Sequence, residues 1–307
     1  MKIRISRRSL LRAGACLLTA ALTLAPLVAP PPGGQAQASE TAALAGAERL
    51  VSIGGSVTEI IYELGEQGRL VARDSTGQYP PAATSLPDVG YMRRLSPEGV
   101  LSVDPDAILA LEGSGPPETI DVLEKARVPM VLVPERFDGE GILAKIRSIG
   151  AALGVEEKAA ALADKVGGEL EAARQLTADI APRRRVLFVL SLQGGKILAA
   201  GADTAASGIV ALAGAENAVS GFEGYKQLTD EAVIEAQPDV VLMMARGDDL
   251  EISEQELFAH PAIAQTPAGT NRQLVRMDGL YLLGFGPRTA MAARDLALRL
   301  YGDRVSN

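Results

Sequence analysis

"LSPEGVLSVDPDAILAL", Leu95 to Leu111, and "LTDEAVIEAQPDVVLMM", Leu228 to Met244, match at a constant offset of 133 residues. Both run Leu, Ser/Thr, x, Glu, x, Val, Leu/Ile, and both carry Pro-Asp before an apolar run. The pattern predicts Ser96 and Thr229 as helix N-caps, whose side-chain oxygens accept from the first free helical N–H groups. Glu98 and Glu231 fall in the first turn, where the helix dipole favours negative charge. Pro105 and Pro238 then end each helix and start a strand. A helix–strand unit that occurs twice predicts two similar lobes, not one continuous sheet.

The surrounding sequence extends each unit into an α/β lobe. "RLVSI", "RLVA", "DAILAL" and "VPMVLVP" read as strands of a first lobe, and "RRRVLFVLS", "GKILAAG", "DVVLMMA" and "QLVRM" as strands of a second. Between them Ile142, Ile146, Ile149 and Leu153 form one apolar stripe at helical spacing, and Leu162, Val166, Leu170 and Ala173 form another. The second stripe predicts a helix from about Val155 to Thr177, roughly 30–35 Å long at the usual rise. A flexible linker would be rich in Gly, Ser or Pro. The expected architecture is two similar α/β lobes joined by one long rigid helix, with a ligand cleft between them. Expected boundaries are 1–38 for an export signal, 48–138 for the first lobe, 139–181 for the linker helices and 182–303 for the second lobe.

The first residues combine basic side chains, an apolar run from about Ala13 to Ala29 and a small-x-small site at Ala36-Gln37-Ala38. "SRRSLLR", Ser6 to Arg12, resembles a twin-arginine export signal. Cleavage near Ala38 would place the protein in the periplasm and remove Cys16, the only cysteine. Five of the 30 basic residues and none of the 38 acids lie in residues 1–38, leaving 25 bases against 38 acids, a net charge of −13. That balance argues against nucleic acid as a partner. About 265 residues remain, enough for two ordinary domains, and no later run reaches transmembrane length.

Chemistry-bearing residues are few. With one histidine, His260, and no cysteine left, no conventional zinc or copper cluster can be assembled. No G-x-S-x-G nucleophile elbow occurs. Enzyme readings therefore lose their parts, and His260, just before Pro261, is expected to be structural or solvent-facing. Ser56 and Glu59 in "GGSVTE" are expected to form a capping box, on a helix end whose free N–H groups also suit a carboxylate.

Four stretches resemble the haem-binding periplasmic proteins of bacterial haem-uptake ABC transporters, within the wider class of cobalamin and ferric-siderophore binders. They are "VSIGGSVTEIIYELG", "QYPPAATSLPDVGYMRRLSPEGVLSVDPD", "PDVVLMMARG" and "LLGFGPRTAMAARDLALRLYG". The haem assignment rests on "LPDVGYMRRLS", Leu86 to Ser96. The resemblance implies a non-enzymatic monomer that captures ferric haem in the cleft and delivers it to an ABC permease dimer. It further implies Tyr91 as the axial iron ligand and Glu98 and Glu231 as permease-docking acids. A binder of cobalamin or a ferric siderophore is the alternative, as is an exported sensor or scaffold domain of the same fold.

The residues support part of this independently. A phenolate is a hard anionic donor suited to ferric iron, and tyrosine is a known haem axial ligand. In an extended segment residues two apart project to one side, so Arg93 is expected beside the Tyr91 oxygen and Arg94 on the opposite side. A surface tyrosine with two solvated arginines fits the same letters. Arg246, directly after the strand "DVVLMM", fits either a haem-propionate contact or a solvated loop charge. Tyr79 is the next candidate ligand, and Arg288 is expected only to open the last helix.

Overall fold

A computed structural model describes residues 44–245 and 252–305. The export segment 1–38 and Arg246 lie outside the described residues.

The first sheet contains β1 (Leu50–Ile53), β2 (Leu70–Arg73), β3 (Ala107–Leu111) and β4 (Met130–Val133) in the order β2-β1-β3-β4, all parallel. Every residue of β1 and β3 is buried. Their unbroken apolar runs are what a parallel sheet covered on both faces requires. The second sheet contains β5 (Arg185–Gln193), β6 (Lys196–Ala200), β7 (Glu216–Asn217), β8 (Tyr225–Leu228), β9 (Val240–Ala245) and β10 (Leu274–Asp278). Its order is β10-β9-β5-β6-β8, with β7 also pairing β5.

The internal repeat is visible in the strand pairing. β5 takes β7 and β9 as parallel neighbours and β9 takes β10. This is the connectivity of β1 with β2 and β3, and of β3 with β4. Helix Pro97–Leu101 precedes β3, with the Ser96 hydroxyl accepting from Gly99 N–H at 3.0 Å. Helix Asp230–Ala236 precedes β9, with Thr229 accepting from Ala232 N–H at 3.2 Å. What the second lobe adds is antiparallel: β6 turns back on β5, and β8 pairs β6. Gly194 and Gly195, at φ 57° and 72°, make the two-residue turn between β5 and β6. Positive φ at both central positions is the twist that such hairpins favour.

Helices Gly139–Leu153 and Glu156–Gln175 join the two halves. The 20-residue second helix is about 30 Å long at the usual rise. All eight residues of the two predicted stripes are buried. They belong to one apolar cluster that also holds Ile53 and Ile108 of the first sheet and Phe188 and Leu242 of the second. A smaller cluster around Val189, Val233, Val241 and Phe258 covers the other face of the second sheet. Burying one such Leu or Ile is worth about 1.5–3 kcal/mol. The linker is therefore core to both halves.

Candidate functional site

The loop Asp74–Leu95 leaves the carboxyl end of β2, and its start is held by buried charge. The fully buried Asp74 carboxylate accepts from the N–H groups of Gly54 at 2.9 Å, Thr76 at 3.1 Å and Met92 at 3.2 Å. The Thr76 hydroxyl donates to it at 2.8 Å. Burial pushes the Asp74 pKa up, while these donors pull it down. Beside it Arg73 pairs with Asp88 at 2.7 Å, and Ser75 N–H donates to the Gly90 carbonyl at 2.9 Å. The outgoing and returning arms of the loop are thus bonded side by side.

Tyr91 follows directly and is not in extended backbone. Arg94 N–H donates to the Tyr91 carbonyl at 2.7 Å, closing a tight turn with Met92 buried inside. The expectation that strand alternation brings Arg93 to Tyr91 and turns Arg94 away is corrected by this turn, and both arginines are exposed. The Tyr91 ring is 43% exposed, and its hydroxyl makes no hydrogen bond among the described residues. The phenol is an open oxygen on an anchored turn.

Tyr225, at the start of β8, reaches the same place from the second sheet. It pairs with Ala200 in the ladder and sets its ring edge-on to Phe188, 6.5 Å between centroids. Burial pushes the Tyr225 phenol up; the Arg93 charge lowers it and Tyr91 raises it. Tyr91, Arg93 and Tyr225 are therefore electrostatic neighbours although they come from different sheets. Arg93 also acts on Glu135, just beyond β4.

Sequence reasoning missed Tyr225, yet a signal for it exists. Extended upstream, the repeat reads Gly90-Tyr91 in "GYMRRLS" and Gly224-Tyr225 in "GYKQLT". One residue is deleted between the tyrosine and the cap.

Three further polar residues join the two halves of the chain. Lys145, fully buried in helix Gly139–Leu153, donates to Glu135 at 2.7 Å, Ser56 at 3.2 Å and the Phe285 carbonyl at 3.0 Å. Burial pulls the Lys145 pKa down and pushes Glu135 up, while their attraction opposes both shifts. Glu59 accepts from Arg288 Nε at 2.8 Å and from its backbone N–H at 3.0 Å. The Ser56–Glu59 capping box does not form: helix Gly55–Glu63 begins after Gly54 without a side-chain cap. The expectation that Arg288 only opens a helix is corrected as well, since it also lies 3.5 Å over the Tyr79 ring. Both misses have one cause, because a partner 229 residues away is invisible to local pattern.

His260 is buried and structural. Its Nδ1 accepts from Ala262 N–H at 3.3 Å and its Nε2 lies 3.0 Å from the Gly195 carbonyl, which fits the tautomer protonated at Nε2. Glu98 and Glu231 are exposed in the first turns of the two repeat helices. Backbone N–H and the Thr229 hydroxyl hold the Glu231 carboxyl below its ordinary value.

Solved structures of similar architecture include the periplasmic haem-binding protein BhuT in complex with two haems. It is 42% identical, with 83% of this chain and 98% of that one covered at a TM-score of 0.79. The apo periplasmic haem-binding protein RhuT from Roseiflexus sp. RS-1 is 39% identical over 84% of this chain and 100% of its own, also at 0.79. Among curated relatives, the vitamin B12-binding protein of Pectobacterium atrosepticum is 26% identical over 265 residues, 85% of this chain and 91% of that one. The periplasmic binding protein family matches residues 50–280, spanning both sheets and the helices between them. The chain belongs to the periplasmic binding protein family.

Proposed function

We propose that this protein captures ferric haem in the cleft between its lobes and delivers it to an ABC permease. The observation that carries the reading is the Tyr91 turn: an exposed phenol without a hydrogen-bond partner among the described residues, anchored through Asp74, with the Arg93 charge and Tyr91 both acting on Tyr225 from the second sheet. A free phenol has a pKa near 10, so ferric iron and a neighbouring cation must together favour the anion. In this role Tyr91 is the axial ligand and Arg93 stabilises the phenolate. Arg246, outside the described residues, contacts haem from the second lobe. Glu98 and Glu231, matched in the repeat and exposed, meet the permease dimer. The similar haem-binding proteins at 42% and 39% identity support the same ligand. Residues 1–38 are the export signal, and the protein acts as a monomer in the periplasm.

The visible spectrum of the ferric complex tests the assignment. Wild type is expected to show the charge-transfer band of a ferric tyrosinate, and Tyr91→Phe to lose it while keeping the ring. An unchanged ferric spectrum in Tyr91→Phe would mean that another group holds the iron. A corrinoid is the second reading, favoured by the vitamin B12-binding relatives at 26% identity. It predicts no ferric-tyrosinate band even in wild type.

A further inference from the structure

Tyr79 and Tyr91 stand on the two arms of one loop. The arms are joined by Ser75 N–H to the Gly90 carbonyl at 2.9 Å and by Ser75 Oγ to Asp88 at 3.0 Å. Four residues beyond Ser75, the Tyr79 ring meets the Arg288 guanidinium at 3.5 Å. Arg288 belongs to the other half of the chain, between β10 and helix Thr289–Tyr301. It is itself held: both Glu59 carboxylate oxygens accept from it, and its side chain is 19% exposed. The preceding backbone is clamped too. Phe285 is buried at φ 48°, its carbonyl taken by Lys145, and a Cβ on Gly286 would lie 3.3 Å from both Glu59 Oε1 and Ser56 Cβ. The segment Phe285–Arg288 is therefore a fixed support built across the two halves, and Tyr79 is what the loop rests on it.

We propose that the Arg288–Tyr79 stack is an interlobe latch in which Arg288, a positioning residue, holds the Tyr91 turn at its place in the cleft. A planar guanidinium on a ring face resists sliding in a way an ammonium cannot, because the ammonium is a compact hydrated charge on a flexible stem. Loss of the latch frees the outgoing arm first. The returning arm and Tyr91 follow through the Ser75 bonds.

The consequence for haem rests on the reading of Tyr91 as ligand, so the primary test is independent of haem. Backbone hydrogen exchange is followed by mass spectrometry on the haem-free protein, peptide by peptide. Arg288→Lys and Tyr79→Ala are each expected to speed exchange in Asp74–Leu95 by about five- to tenfold while β1 and β3 stay protected. Tyr79→Phe keeps the ring and is expected to match wild type. The double variant Arg288→Lys/Tyr79→Ala is expected to be no faster than Arg288→Lys alone, since Tyr79→Ala removes a contact that Arg288→Lys has already removed. Unchanged exchange in Asp74–Leu95, or equal acceleration throughout the first sheet, overturns the latch. If Arg288→Lys fails to fold, Tyr79→Ala alone decides, because Tyr79 is an exposed loop residue outside the apolar core. With haem loaded, both loosening variants are expected to release it at higher pH than wild type. Failure of the ligand assignment is read separately, from the ferric spectrum of Tyr91→Phe.

Discussion

Tyr91 and Tyr225 begin from the same short pattern and end in different chemistry. Each follows a glycine of positive φ, Gly90 at 103° and Gly224 at 74°, and each leads into a capped helix. In the first lobe the tyrosine rides a turn tied to buried Asp74, and its oxygen stays open. In the second lobe the added hairpin makes it a strand residue, registered against Ala200 and packed on Phe188. Burial there pushes the phenol above its ordinary value. The repeat supplies position, while the neighbouring strands decide whether the phenol is packed or left open. On the proposed reading, Tyr91 is the iron ligand and Tyr225 a packing residue beside the same haem.

The strongest way to break that contrast is to remove each oxygen in turn. Tyr91→Phe is expected to weaken haem binding by at least about 100-fold, since groups that merely support a metal ligand already cost about 10–100-fold. Tyr225→Phe is expected to cost less than about tenfold and to keep the ferric-tyrosinate band, because it removes one neutral hydrogen-bonding group. Equal losses in haem titrations of the two variants would erase the distinction.

Next in size is the anchor that only the first lobe has. Asp74→Asn leaves the Met92 N–H facing an amide that cannot accept from every donor. The expected cost is about 1–3 kcal/mol at neutral pH in urea unfolding. The pH dependence has a definite sign. The folded pKa of Asp74 is raised above 3.8, so the stability held by its protonated form is complete below that value. It is lost as pH rises through the raised value. Asp74→Asn should remove that decline, and a wild-type slope in the variant would show that other buried carboxylates, Glu59 and Glu135, carry it.

The repeat helices allow the lobes to be compared at the permease. Reversing Glu98 and Glu231 to Lys together is expected to reduce uptake more than either change alone, with haem affinity within about twofold of wild type, because exposed charges act only at short range in salt. Normal uptake by the double variant would reduce both residues to helix-end charges.

How legible was this in the sequence? The eight strands read from apolar runs all form, most plainly β1 and β3, since parallel strands buried on both faces leave an unbroken apolar signal. β7 and β8 escaped: β7 is two residues long, and "YKQL" has no apolar face to mark it. The Ser96 and Thr229 caps were legible because a cap is a contact three residues long. The roles of Glu59, Lys145 and Arg288 were not, because their partners lie 140 and 229 residues away and exist only once the two halves meet. Tyr91 was singled out on a family resemblance, while the backbone assumed for it, an extended strand, was replaced by a turn.

That turn makes the smallest effect the most informative. Under strand alternation Arg93 and Arg94 would differ because they point to opposite sides; on a turn both are exposed and side alone no longer separates them. What separates them is electrostatic reach. Arg93 lowers both Tyr225 and Glu135, and Arg94 is not among the leading influences on either. On the proposed reading Arg93→Ala is therefore expected to raise the pH at which ferric haem is lost. The sign follows because a lost cation disfavours the phenolate, so protons compete with iron at a higher pH. It should also push the Tyr225 phenol further up, visible as a shifted ring titration by NMR in the haem-free protein. Arg94→Ala should leave both midpoints at their wild-type positions at physiological salt. Equal shifts from both arginines would mean that the cleft responds to summed charge and that Arg93 has no place of its own beside Tyr91.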